Sequence, residues 1–202
     1  MCGINGIFNF SSQQINNGVD LVKQMNRCVA HRGPDDSGLW SDEKKGIYLG
    51  HQRLSIIDLS AAGHQPMLNE KGNALVFNGE IYNYKELRPL LTDYKFHSGS
   101  DTEIMLELYS RKGHESLQHF NGMFAFAFWD KTKEQLLLAR DRVGKKPLYY
   151  TTINGIFAFA SEIKSLLALP WIKAEPDDEA LYHFLTFNQL SPPQTLFKNI
   201  FK

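Results

Sequence analysis

The sequence predicts a layered α+β or α/β domain in which sheets are sandwiched between helices. Residues 123–129, 136–139 and 156–160 form short runs that are apolar on both faces, with Phe124, Phe126 and Phe128 alternating with Ala125 and Ala127 in the first. A strand apolar on both sides must be covered on both sides. Helical patterns near 18–29, 83–91, 102–112, 162–168 and 177–186 supply the covering layers. With 202 residues, 43% of them hydrophobic, the chain can close such a core as one generous domain.

Residues 3–10 read as a strand, because Ile4, Gly6, Phe8 and Phe10 alternate with Asn5, Ile7 and Asn9. Leu21, Met25, Cys28 and Val29 make the stripe of the first helix, with Cys28 as a small core residue. His31-Arg32-Gly33-Pro34-Asp35-Asp36 is a turn cluster, and short strands follow near 37–41 and 46–52. A long loop over 58–73 leads to a strand ending at Asn78-Gly79. Helix 102–112 places Ile104 with Leu108, and Met105 with Tyr109, one turn apart. Pro176-Asp177-Asp178-Glu179 opens a last helix, its acids suited to the positive end of the dipole. Ser191-Pro192-Pro193 then breaks the pattern. Residues 1–170 are expected to form the domain, and 171–202 a linker and the start of a further one.

Several function classes are disfavoured. Lys plus Arg and Asp plus Glu are both 22, with no long basic run, so a broad electrostatic grip on nucleic acid is not expected. No apolar run approaches the ~20 residues that span a bilayer. The start carries no basic region with a small-residue cleavage site, which points to a reducing, cytoplasmic setting without disulfides. The seven histidines show neither an H-E-x-x-H nor a Cys–His metal spacing, so no metal is expected, and His31 and His64 read as loop-ordering residues. Lys145-Lys146 beside Gly144 lacks a phosphate-loop pattern and reads as a solvated hairpin.

Four positions could carry chemistry. Removal of Met1 would leave Cys2 with a thiol and a free α-amine. The amine, with an ordinary pKa of ~7.7–8, suits a general base, and the thiol, at ~8.5, needs a modest push to become a thiolate. One residue then holds nucleophile and base together. A Met-Cys start alone carries little weight. Arg53 could clamp a carboxylate through its planar fork, or be a surface arginine at a strand end. Asn78-Gly79 is a strong hairpin signal, and equally an amide beside a backbone N–H that could stabilise an oxyanion. Asp101 fits the capping box Ser100-Asp101-Thr102-Glu103, and could also meet an ammonium group.

The order of motifs weighs between these readings. Met1-Cys2-Gly3-Ile4, His31-Arg32-Gly33-Pro34-Asp35, His51-Gln52-Arg53-Leu54-Ser55-Ile56-Ile57-Asp58, His64-Gln65-Pro66-Met67, Asn78-Gly79-Glu80-Ile81-Tyr82-Asn83, Ser98-Gly99-Ser100-Asp101-Thr102-Glu103, Gly122–Ala127 and Arg140–Tyr150 follow one another along nearly the whole chain. Together they resemble the class II, N-terminal-nucleophile glutamine amidotransferases, and most of all the N-terminal glutaminase domain of glutamine-dependent asparagine synthetases.

The resemblance implies the four-layer αββα sandwich of N-terminal-nucleophile hydrolases. It implies that Cys2 is the nucleophile and that Asn78 and Gly79 form the oxyanion hole. Arg53 would take the α-carboxylate of L-glutamine and Asp101 its α-ammonium. Glu80, with the backbone of Leu54, Ser55, Ile56 and Ile57, would complete the pocket. No cofactor is implied for this half-reaction; ATP and Mg²⁺ belong to a C-terminal synthetase domain, the expected partner and the recipient of the ammonia. A homodimer is among the states open to the full-length protein. Two alternatives stay open: an amidotransferase acting on a surface-polysaccharide sugar acid, and, if Met1 is retained, a catalytically silent scaffold or regulatory domain.

Overall fold

The computed structural model describes residues 1–11 and 15–202. Among the described residues, nine strands form two antiparallel sheets. β1 (Gly3–Asn9), β2 (Asp36–Asp42), β3 (Ile47–Arg53), β8 (Tyr149–Ile153) and β9 (Ile156–Ala160) make a five-stranded sheet in the order β2-β3-β1-β9-β8. β4 (Met67–Leu68), β5 (Ala74–Ile81), β6 (Gly122–Asp130) and β7 (Gln135–Arg140) make a four-stranded sheet in that order. The helices are α1 (Gly18–Cys28), α2 (Tyr84–Leu87), α3 (Asp101–Lys112), α4 (Ile163–Leu166) and α5 (Asp178–Phe187).

Period-two alternation sorts the strand side chains into layers. Ile4, Ile47, Leu49 and Phe159 of the five-stranded sheet meet Ala74, Val76, Ala125, Ala127 and Trp129 of the four-stranded sheet. The opposite face of the second sheet, with Phe77, Phe124, Phe126 and Phe128, packs under Ile104, Met105 and Leu108 of α3. The opposite face of the first, with Ile7, Tyr48 and Ala158, packs under Val22 and Met25 of α1 and Leu166 of α4. The result is helix, sheet, sheet, helix, as the two-sided apolar strands require. Cys28 is only half-buried, at the end of α1.

One expectation is corrected here. Asn78-Gly79 does not turn: both residues lie inside β5, paired with Ala125 and Phe124 of β6. Gly79 is needed instead for close approach, since a Cβ there would strike the Met123 carbonyl. The stretch 149–153, for which the sequence predicts no strand of its own, is the edge strand β8. The chain after residue 170 also returns to the body. Ile172 and Ile200 are buried against the outer face of the first sheet, and Phe201 exchanges backbone hydrogen bonds of 2.9 Å with Tyr150.

Candidate active site

The apolar rows between the sheets end in polar residues at one edge, and these line a cleft. The β1 row Phe8–Gly6–Ile4 continues to Cys2, the β3 row Ile47–Leu49 continues through His51 to Arg53, and the β5 row Ala74–Val76 continues to Asn78 and Glu80. The nucleophile candidate and the oxyanion candidate therefore emerge from facing sheets at the same mouth. Leu54, Ile56, Ile57, Gly79 and Asp101 share the lining. Ser55 stands outside it, its N–H donating to the Asp35 carboxylate at 2.8 Å.

Cys2 is held against the end of β3. Its Sγ donates to the Leu54 carbonyl at 3.6 Å and receives the Leu54 N–H at 3.4 Å. Arg32 Nε donates to the Cys2 carbonyl at 2.9 Å while Arg32 Nη1 reaches Glu162, also at 2.9 Å. Burial pushes the Cys2 thiol above its ordinary value; the Leu54 N–H, the chain's amino terminus, Arg53 and Lys146 work against it. Met1 precedes it in the mouth of the cleft, half-exposed.

Asn78 is 1% exposed, and neither its amide nitrogen nor its amide oxygen has a partner among the described residues. A buried amide left with both ends unpaired costs about 1–3 kcal/mol per group, and in a cleft that cost points to a ligand. The Gly79 N–H faces the same space. Phe124, opposite Gly79, donates its N–H to the Asp141 carboxylate (3.2 Å) and accepts the Asp141 N–H at its C=O (2.8 Å), so this is a non-hydrogen-bonded pair and Gly79 points away from β6. Along that edge the Phe77 N–H goes to Gln65 at 2.7 Å and the Ile81 N–H to Asp101 at 2.9 Å. Gly79 lies between them, with its donor aimed into the cleft.

Arg53 is buried at 7% exposure rather than lying on the surface. Two of its N–H groups hold the loop carbonyls of Ser60 (2.9 Å) and Asp58, leaving three of five for a carboxylate. Asp58 fastens the same loop through Gly99 N–H at 2.8 Å. The Asp101 carboxyl is pushed up by burial, which the Ile81 N–H only partly opposes. Ser100 caps α3 through the Thr102 N–H, but the capping box is not closed. Glu103 instead receives His97 N–H (2.8 Å), Ser98 N–H (2.7 Å) and the Tyr94 hydroxyl (2.9 Å), ordering the approach to the helix. His31 meets Glu162 at 2.9 Å and His64 meets Asp36 at 2.7 Å, both in loop-ordering positions.

Lys146 was expected in solvent and is not there. It is 5% exposed and lines the cleft, whereas Lys145 is exposed. The signal was parity: Lys146 and Leu148 alternate inward with Lys145 outward, and Leu148 belongs to the inter-sheet core.

The whole chain, residues 1–202, matches the family model described as a glutamine amidotransferase domain. The chain belongs to that family. Asparagine synthetase [glutamine-hydrolyzing] 1 of Bacillus subtilis is 43% identical over 100% of the chain and 32% of its own length. A putative asparagine synthetase [glutamine-hydrolyzing] 2 of Methanocaldococcus jannaschii is 38% identical over 100% and 42%, and asparagine synthetase B of Escherichia coli 42% identical over 83% and 30%. This glutamine amidotransferase domain thus spans 30–42% of the length of these three relatives. Among solved structures, the glutamine phosphoribosylpyrophosphate amidotransferase of B. subtilis superposes with a TM-score of 0.68 at 22% identity, over 83% of this chain and 43% of that one, which establishes the shared fold.

Proposed function

We propose that this domain hydrolyses L-glutamine through Cys2 and delivers ammonia to a synthetase domain of the same protein, as the glutaminase half of an asparagine synthetase. The observation that carries the reading is the unpaired, buried Asn78 amide beside the inward-facing Gly79 N–H, set across the cleft mouth from Cys2. Two donors converging where a nucleophile emerges suit a tetrahedral oxyanion, and preorganised donors of this kind are worth ~2.7–4 kcal/mol each.

The steps follow from the groups present. With Met1 removed, the Cys2 α-amine accepts the thiol proton and the thiolate attacks the side-chain amide carbon of glutamine. The carbonyl oxygen takes the electron pair and rests against Asn78 and Gly79. Collapse expels the nitrogen, which takes the proton from the α-ammonium and leaves as ammonia. The resulting γ-glutamyl thioester is attacked by water, with the α-amine again accepting the proton, and glutamate departs with the thiol restored. Arg53 holds the α-carboxylate and Asp101 the α-ammonium of glutamine, so the amide is the part presented to Cys2. Glu80 and the backbone at 54–57 close the pocket. This half-reaction draws on no cofactor; ATP and Mg²⁺ would serve the synthetase domain, with aspartate as acceptor, the product named in the relatives supporting that choice.

The test combines intact mass with a glutaminase assay on one sample. Chain lacking Met1 should release glutamate and ammonia in equal amounts, and Cys2→Ala should abolish release with its circular dichroism unchanged. Full turnover by Cys2→Ala would refute the reading.

A further inference from the structure

The cleft contains a cation that the steps above do not use. Lys146 sits in the turn between β7 and β8, and that turn is built to hold it. Asp141 receives the N–H groups of Lys145 (2.8 Å), Lys146 (3.0 Å) and Phe124 (3.2 Å). Burial pushes the Asp141 carboxyl up, and these donors outweigh it and hold it below its ordinary value. Arg140 grips the other side, with Nε on the Lys146 carbonyl at 2.5 Å and Nη2 on the Gly144 carbonyl at 2.6 Å. Gly144 itself needs φ +65°, and a Cβ there would crowd the Arg140 guanidinium. Two charged side chains are thus spent on fixing the backbone of one lysine.

The ammonium at the end of that lysine has no ion-pair partner among the described residues. A buried cation without a close ion-pair partner is costly, so a negative charge formed beside it is stabilised. The charged groups around it are Cys2, Arg32, Glu80 and Asp141, and of these Cys2 acts on it most strongly. Facing Cys2 from its own surroundings are the amino terminus, Arg53 and Lys146, all cationic. Arg53 is engaged by the 58–60 carbonyls and reserved, in the proposed function, for the substrate carboxylate.

We propose that Lys146 is the fixed counter-charge of the nucleophile, a positioning residue that favours the Cys2 thiolate over the thiol before glutamine arrives. The role rests on Cys2 being the nucleophile, and it answers a specific difficulty. Burial of the Cys2 side chain favours the neutral thiol, so the site needs a local cation to bring the reactive form back toward neutral pH. The relation is reciprocal. Burial lowers the Lys146 ammonium from its ordinary value and the neighbouring thiolate opposes that fall, so each group favours the charged form of the other.

The rate of Cys2 alkylation by iodoacetamide, measured against pH on the full chain, reads the thiolate directly without glutamine. Cys28 is a second free thiol, so Cys2 is followed separately by peptide mass. In Lys146→Met the midpoint of the profile should move up by about one unit, and Lys146→Arg should return most of the shift. A Lys146→Met profile that coincides with the wild type, in a protein of unchanged circular dichroism and thermal midpoint, overturns the proposal. Should that variant fail to fold, Lys146→Gln takes its place with the same two outcomes. Failure of the glutaminase reading is separable: a chain that shows the shift yet never hydrolyses glutamine keeps the counter-charge and loses the function.

Discussion

In the proposed function, Asn78 is destabilising and useful together. Its side chain is desolvated with both polar ends unpaired, a state that an apolar residue of similar size would relieve. The unpaired donor acquires a partner only when an oxyanion forms beside it, which is the condition for lowering a barrier rather than tightening ground-state binding. Asn78→Ala should therefore lower kcat by about 10²–10³-fold with a much smaller change in KM, and should leave the thermal midpoint unchanged or higher. Steady-state kinetics with a thermal melt check both halves; a KM-only effect would place Asn78 in substrate binding. Sequence alone singled out the residue but not its local structure. The Asn-Gly pair favours a turn locally, and the eight-residue pairing of β5 with β6 overrides it. Lys146 was missed for the converse reason: two adjacent lysines look solvated, and only the parity relation to Leu148 puts one of them inside.

At the scale of elements, one polar contact crosses between the two sheets inside an apolar layer. His51 on β3 reaches across to the Phe77 carbonyl on β5 at 3.1 Å through Nε2, one residue before Asn78. Its exposure is 0%, and Nδ1 has no partner among the described residues. Burial holds the imidazole neutral, lowering its pKa from 6.5 to about 4, with the Phe77 contact only partly opposing. Between those values the unfolded chain binds a proton that the native chain refuses, so stability is lost as pH falls from about 6.5 towards 4 and levels off below. The loss totals about 3 kcal/mol at ~1.4 kcal/mol per unit. Urea titrations across that window should show it, and His51→Gln, which can still donate to Phe77, should flatten the slope by up to one proton; an unchanged slope would assign the acid sensitivity elsewhere. The elements themselves were legible where periodicity was strong. The helices near 18–29 and 102–112 and the strands at 3–10 and 123–129 lie within a residue or two of α1, α3, β1 and β6. The edge strand β8 was not singled out, since Tyr149-Tyr150-Thr151-Thr152 carries no two-sided apolar pattern to announce pairing.

For the whole molecule, the open question is where the domain ends. Reading the break at Ser191-Pro192-Pro193 as a departure from the fold suggests a body ending near residue 170. The packing argues for a longer unit. Ile172 is 7% exposed and Ile200 1%, both against the face of the first sheet opposite the other sheet, while Thr195 ties the last turn by donating to the Ile200 carbonyl at 2.7 Å. The Tyr150–Phe201 bonds extend the sheet edge at β8. Composition cannot show this, because the Tyr150–Phe201 bonds join residues about fifty positions apart and depend on a strand that the sequence hardly signals. Burying two isoleucines contributes about 3–6 kcal/mol at ~1.5–3 kcal/mol each, against a total of about 5–15 kcal/mol for an ordinary domain. Chain cut after residue 170 should consequently melt well below the 202-residue chain, or fail to accumulate in folded form. The candidate active-site residues all precede the cut, so any glutaminase activity it retains should be lost on mild warming first. A truncated chain with an unchanged melting temperature would restore the boundary at 170 and make residues 171–202 the linker that their composition suggests.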